Sequence, residues 1–266
     1  MSHREIMLSD GTCARISGAG PALVLLHGVG LNQSIWAEQV KAFSATHQII
    51  TYDLLGHGRS ATVSGNAALG DWVHQLEKLA EELKLEHFSL VGFSFGGMIA
   101  QGFAAKHAER VEKLVLMSTV YDRSEVQQAS VLSRLEVVKR EGPHATVPTA
   151  LSRWFSPQFA ESQPDIMNRY AVMLRGNDAA SFLSAYMCFA TTDRDLVGVL
   201  AEFNRPALIM TGGLDTGSTP DMARKLAGMI PGAEYSIIAG GRHMMPVEMP
   251  DEVNSVLRRF LEGVRP

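Results

Sequence analysis

The chain has only two cysteines in 266 residues, Cys13 and Cys188, far apart and with no CxxC spacing. That excludes a disulfide framework and a cysteine zinc site, and fits thiols kept reduced in a cytoplasmic protein. Long apolar runs are lacking too: no stretch reaches the roughly 18 apolar residues of a membrane span. The N-terminus, MSHREIMLSD, carries charge where a signal peptide would need its apolar segment. A retained chain without a membrane partner is the expectation. No excess of one charge sign exists either, since 24 Lys and Arg stand against 28 Asp and Glu and the basic residues are scattered. A nucleic-acid partner is therefore not expected. Neither GxGxxG nor GxxxxGK[ST] occurs, so the glycine-rich stretches are not phosphate loops of those kinds.

What is present is a rhythm of short apolar runs in a chain that is 46% hydrophobic, enough for a large core. REIMLSDGTCARIS alternates apolar and polar residues on both sides of Asp10-Gly11, as an antiparallel hairpin does. Six buried-strand runs follow: ALVLLHG (22–28), QIITYD (48–53), FSLVGFS (88–94), KLVLMST (113–119), ALIMTGG (207–213) and EYSIIAG (234–240). Helix-like segments separate most of them. LGDWVHQLEKLAEELKLE (69–86) gathers Trp72, Val73, Leu76, Leu79 and Leu83 largely on one face, and Pro250-Asp251 suits the start of a last helix. The alternation predicts an α/β protein with a mostly parallel eight-stranded sheet flanked by helices. Between 120 and 203 it stops, and a helical lid inserted after the sixth strand is expected there, with 1–119 and 204–266 forming the core.

VGFSFGGM (91–98) carries G-x-S-x-G between a buried strand and a helix. At such a sharp turn the serine backbone is strained and its neighbours must admit close chain approach, which accounts for Gly92 and Gly96 and leaves Ser94 Oγ exposed at the carboxyl edge of the sheet. A serine hydroxyl needs a base and a group that orients the base. Asp215 in GLDTGSTP and His243 in GGRHMMPVEMP each follow a strand, in the chain order Ser, Asp, His. Asp122, shortly after the sixth strand, is the alternative acid. LLHGVG (25–30) supplies glycines that let amides face the site, so Val29 N–H and Phe95 N–H are the expected oxyanion donors. His27 would brace that loop, and YDLLGHGRS (52–60), with Asp53, Gly56 and Gly58, reads as a structural turn.

These residues together resemble the α/β-hydrolase superfamily over nearly the whole chain. Within it, the stretches GFSFGGMIAQGFAAKHAERVEKLVLMST and CFATTDRDLVGVLAEFNRPALIMTGGLDTGSTP resemble small bacterial hydrolases of the 3-oxoadipate enol-lactonase and carboxylesterase kind. One departure is the five-residue spacing from Asp215 to Pro220, where four is frequent. The resemblance implies an α/β-hydrolase fold and acyl transfer without metal or organic cofactor. Ser94 would be the nucleophile, His243 the base and Asp215 the acid, acting on a small-molecule ester or lactone. Carbon–carbon hydrolysis of ring-cleavage diketones and amide hydrolysis stay open, as does a ligand receptor that keeps the fold without turnover.

The lid is expected to set substrate choice. Trp154, Phe155, Met167, Tyr170, Met173, Phe182, Tyr186 and Met187 are candidates for an apolar roof, with lid packing as the alternative for most of them. Arg153, Arg169, Arg175 and Arg194 are spread among them. Two arginines turned inward would favour an anionic lactone or ester. The pocket residues singled out are Trp154, Tyr170, Arg169, Arg175 and Tyr186. A homodimer is left open.

Overall fold

A computed structural model describes residues 3–63 and 65–263 of the chain. The strands are β1 (His3–Met7), β2 (Cys13–Ser17), β3 (Ala22–Leu26), β4 (Gln48–Tyr52), β5 (Phe88–Phe93), β6 (Val111–Met117), β7 (Ala207–Gly212) and β8 (Glu234–Ile238). They form one eight-stranded sheet in the order β1-β2-β4-β3-β5-β6-β7-β8. The β1 and β2 strands pair as the expected hairpin, with Met7 opposite Cys13, and β2 runs antiparallel to β4. All later pairings are parallel.

The helices are α1 (Ala37–Phe43), α2 (Leu69–Glu82), α3 (Phe95–Lys106), α4 (Glu125–Glu141), α5 (Val147–Trp154), α6 (Pro157–Ser162), α7 (Pro164–Arg175), α8 (Ala179–Thr191), α9 (Pro220–Met229), α10 (Met245–Glu248) and α11 (Pro250–Glu262). None among the described residues is long and apolar enough to cross a membrane.

The central strands are mostly apolar, and β5 and β7 are buried along their whole length, because both faces of the sheet are covered. Successive side chains point to opposite faces. Val24, Leu26, Leu90, Leu114 and Leu116 accordingly join one core with Trp72, Leu76 and Leu79 of α2 and Met98, Ile99 and Phe103 of α3. Leu23, Leu25, Val91, Phe93, Val115 and Met117 face the other core, with Phe43 of α1 and Val253, Leu257 and Phe260 of α11. Truncating one of these side chains to alanine costs about 2–5 kcal/mol, through lost burial and the cavity left behind. The indole of Trp72 also has a polar anchor, donating from Nε1 to Leu55 O at 2.9 Å.

Helices α4 to α8 all lie between β6 and β7 in the chain, where the alternation of strand and helix stops. They are tied to the rest at specific points. Arg123, just after β6, bonds Asp193 at 2.7 Å with both side chains buried, and its guanidinium sits 4.6 Å from the Phe189 ring centroid. On α8, Ser181 Oγ accepts from Val63 N at 3.0 Å and Ser184 Oγ from Ala67 N at 2.8 Å. A buried, hydrogen-bonded ion pair of this kind loses about 3–5 kcal/mol when one partner is removed, because the other is left charged in an apolar site.

Candidate active site

Ser94 stands between β5 and α3 with φ 55° and ψ −115°, a strained conformation for a residue bearing a side chain. The surroundings enforce it. A Cβ on Gly92 would lie 2.3 Å from Gly96 O, and one on Gly96 would lie 2.6 Å from both Leu26 O and His27 O. Only glycine lets the strand, the turn and the helix come this close. The Ser94 backbone is held on both sides: its N–H donates to Met117 O at 2.9 Å, and its carbonyl accepts from Thr119 Oγ1 at 2.9 Å. Thr119, at the end of the sixth-strand run, therefore serves the turn, a role that its sequence position alone did not reveal.

His243 donates from Nδ1 to Asp215 Oδ2 at 2.7 Å. That leaves Nε2 as the free acceptor of the ring. The other oxygen of Asp215 accepts from Gly217 N at 2.9 Å and Ser218 N at 3.0 Å, so the carboxylate is fixed by its own loop. The imidazole is itself wedged between Phe93, 5.0 Å away centroid to centroid, and Trp154, at 5.8 Å. Ser94, Asp215 and His243 line one cavity of about 300 Å³. Asp122, the alternative acid, is paired instead with Lys225 Nζ at 3.0 Å.

The 28–31 turn sits directly beside the serine, since a Cβ on Gly28 would stand 3.0 Å from Ser94 Cβ. Gly28 O accepts from Leu31 N at 3.2 Å and from His27 Nδ1 at 2.8 Å. The tautomer follows from the other ring nitrogen, because His27 Nε2 accepts from Leu54 N at 2.9 Å and cannot carry the proton. In a trans peptide the C=O and the next N–H point in opposite directions. Fixing Gly28 O toward His27 therefore turns Val29 N–H the other way. Val29 lines the cavity. Phe95 is the first residue of α3, and the N–H groups of a first helical turn lack an intrahelical partner; its ring packs against Trp72 at 5.0 Å.

His27 and His57 are fully enclosed, and burial pushes their imidazoles down to about 4 and about 3. Both are structural. The 52–60 loop is as well: Asp53 accepts from Gln33 N and Arg59 N, each at 2.8 Å, and so closes the turn that Gly56 and Gly58 allow.

Of the expected pocket residues, Trp154 and Tyr186 line the cavity, while Tyr170, Arg169 and Arg175 do not. Tyr170 is buried in the core against Phe155, and Arg169 and Arg175 are exposed. The reason is helical geometry. On α7 the buried positions are Tyr170, Ala171 and Leu174; Arg169 precedes this stripe and Arg175 follows it, each about 100° around the helix from its buried neighbour. Arg194 is exposed too. The arginines that face the cavity are Arg153, which was among the four expected, together with Arg123 and Arg134, which were not. Arg134 was legible in principle: Val131, Leu135 and Val138 are the buried residues of α4, and Arg134 lies between the first two.

The three arginines differ electrically. Arg123 is neutralised by Asp193. Among the described residues Arg134 bonds neutral groups, Tyr186 Oη at 3.2 Å and Ser130 Oγ at 2.9 Å. Arg153 has a buried Nε without a partner, and its burial pulls the guanidinium below its ordinary value. Among the described residues neither Arg134 nor Arg153 has a carboxylate partner. No group of three or more His, Cys, Asp or Glu side chains among the described residues could hold a metal ion.

Comparison with known proteins agrees with this architecture. The chain is 29% identical over 264 residues to (E)-2-((N-methylformamido)methylene)succinate hydrolase of Acinetobacter baylyi, covering 98% of this chain and 99% of that one. It is 27% identical over 244 residues to 3-oxoadipate enol-lactonase 2 of the same organism, covering 90% of each. The crystal structure of the enol-lactonase from Burkholderia xenovorans superimposes with a TM-score of 0.87 at 28% identity, covering 97% of this chain and all of the other. Residues 23–256 match the model of the alpha/beta hydrolase family, and the chain is a member of that family.

Proposed function

We propose that the protein is a serine hydrolase that cleaves a small, carboxylate-bearing ester or lactone through an acyl-enzyme on Ser94. The observation that carries the reading is the His243–Asp215 hydrogen bond of 2.7 Å on the wall of the cavity that Ser94 also lines. In this mechanism His243 Nε2 takes the Ser94 proton as Oγ attacks the substrate carbonyl. Asp215 holds the ring in the required tautomer and stabilises the imidazolium. Val29 N–H and Phe95 N–H receive the developing oxyanion, each worth about 2.7–4 kcal/mol of transition-state stabilisation. The imidazolium then protonates the leaving oxygen, and water, deprotonated by the same imidazole, releases the acid. No metal or organic cofactor enters any of these steps.

The anionic substrate class rests on Arg134 and Arg153. Two guanidinium groups that have no carboxylate partner among the described residues, on the wall of a small cavity, carry charge that a substrate can neutralise, and a guanidinium fork matches a carboxylate. The names of two relatives, a succinate-derivative hydrolase and a 3-oxoadipate enol-lactonase, point the same way. Helices α4 to α8 would act as the lid, contributing Arg134, Arg153, Trp154 and Tyr186 to substrate selection.

The test is a panel of p-nitrophenyl butyrate, a monoester of a dicarboxylic acid, a carboxylate-bearing enol-lactone and a vinylogous diketone, each with Ser94→Ala as control. Preference for the anionic ester or lactone, abolished in the variant, is the expected result. Preference for the diketone would transfer the assignment to carbon–carbon hydrolysis, and turnover surviving in Ser94→Ala would end the serine mechanism.

A further inference from the structure

Asn177 lies in the corner between α7 and α8, about 150 residues away in sequence from the loop that carries Val29. Its side-chain Nδ2 is 2.9 Å from Gly30 O, 3.1 Å from Leu174 O and 3.2 Å from Met173 O. All three neighbours are carbonyls, so the amide can have only one orientation there, with its NH₂ group toward them. The side chain thus closes the carboxyl end of α7 and, with the same nitrogen, holds the turn beside Ser94.

That turn is gripped at two points. On the sheet side, His27 Nδ1 and Leu31 N hold Gly28 O. On the side of the inserted helices, Asn177 holds Gly30 O, and Leu174 and Phe182 close over Gly30 so tightly that a Cβ there would lie 2.9 Å and 2.7 Å from them. Gly30 has φ +76°, a conformation that needs this support because glycine has many others open to it. Val29 is the residue between the two grips. A donor aimed at an oxyanion must be fixed before the reaction, and an error on the order of 1 Å costs up to about 100-fold in rate.

We infer that Asn177 is a positioning residue for the oxyanion site: it couples the seating of the α7–α8 corner to the aim of Val29 N–H, without touching substrate. The inference rests on the hydrolase reading above. Its consequence is that the oxyanion site is complete only while the inserted helices are docked, because Gly30 O loses its partner when the corner lifts.

The experiment compares the wild type with Asn177→Leu, which removes the donor at similar size, Asn177→Asp, which points a carboxylate at three carbonyls, and Asn177→Gln, which keeps a carboxamide on a longer arm. For p-nitrophenyl butyrate, kcat is expected to fall about 10- to 100-fold in Asn177→Leu with KM within about twofold, to fall further in Asn177→Asp and to recover in part in Asn177→Gln. A trifluoromethyl ketone, bound as a tetrahedral adduct, is expected to lose affinity by the same factor as kcat. Unchanged kcat and ketone affinity in a folded Asn177→Leu would overturn the inference while leaving Ser94-dependent turnover, and the hydrolase reading, intact. Amide hydrogen exchange over residues 28–31 requires no turnover and covers failure of that reading. Faster exchange in any folded Asn177 variant supports the coupling, and exchange equal to the wild type refutes it.

Discussion

Asp215 Oδ2 accepts the Nδ1 proton of His243 at 2.7 Å, so the acid after β7, and not Asp122 after β6, stands behind the imidazole. Asp122 has its own partner in Lys225. Asp215→Asn would leave the fold in place but favour the wrong imidazole tautomer, and kcat should fall by about 10⁴-fold. Asp122→Asn should leave kcat within about twofold. The steady-state rates of the two variants, measured side by side, check the assignment; the reverse pattern would transfer the role to Asp122.

Arg153 and Arg134 are expected to recognise charge rather than support chemistry. A hydrogen bond to a charged group is worth about 1.5–3 kcal/mol, so Arg153→Met should raise KM for a carboxylate-bearing ester about 10- to 100-fold. For neutral p-nitrophenyl butyrate the change should stay within about twofold. Arg134→Met should show the same selectivity. An equal loss on neutral and anionic substrates would mean that these arginines serve packing and not recognition.

At the turn carrying Ser94, Gly96→Ala would force a Cβ to 2.6 Å from two backbone carbonyls. Overpacking of this kind costs about 1–3 kcal/mol, and Tm should drop by roughly 2–12 °C, with kcat falling as Oγ shifts. The contrast is Gly228 in α9, where a Cβ would meet nothing within 4 Å. Gly228→Ala should leave activity unchanged and raise stability by about 0.5–1 kcal/mol through helix propensity. Thermal melts of the two variants decide it.

The pH dependence of stability follows from His27 and His57. Burial holds them neutral down to about pH 4 and about pH 3, whereas in the unfolded chain they take up protons near 6.5. Between these limits the unfolded state binds more protons, so stability is fully present above about pH 6.5 and declines as the pH falls. The slope is up to about 1.4 kcal/mol per pH unit for each histidine. Denaturant midpoints measured from pH 7 to pH 4 should show this fall. His57→Gln should reduce the slope by about one proton, and an unaltered slope would assign the acid sensitivity to other groups.

The fold was readable because short continuous apolar runs, the alternating N-terminal hairpin and glycine-marked turns are local signals. Asp10-Gly11 sits in the β1–β2 connection, and each of the six apolar runs contains a parallel strand. Ser94, Asp215 and His243 could be located because each follows a strand end, and that sets position before any side chain packs. The inserted helices were less legible. Arg169 and Arg175 lie off the buried stripe of α7 and point outward, while Arg134 lies on the buried face of α4, three residues after Val131 and four before Val138. Apolar spacing could separate them, but it does not say that the face carrying Arg134 borders the cavity and not the core. Asn177 and Thr119 depend on contacts with Gly30 and Ser94 that no local pattern encodes.

The central claim is a covalent acyl group on Ser94, and trapping it is the most direct measurement. Rapid mixing with excess p-nitrophenyl butyrate, acid quenching and peptide mass analysis should find a butyryl group on the peptide holding Ser94, accompanied by a burst of nitrophenol that is absent in Ser94→Ala and His243→Ala. Turnover of this ester without any acyl group on Ser94, or a burst persisting in Ser94→Ala, would contradict the account.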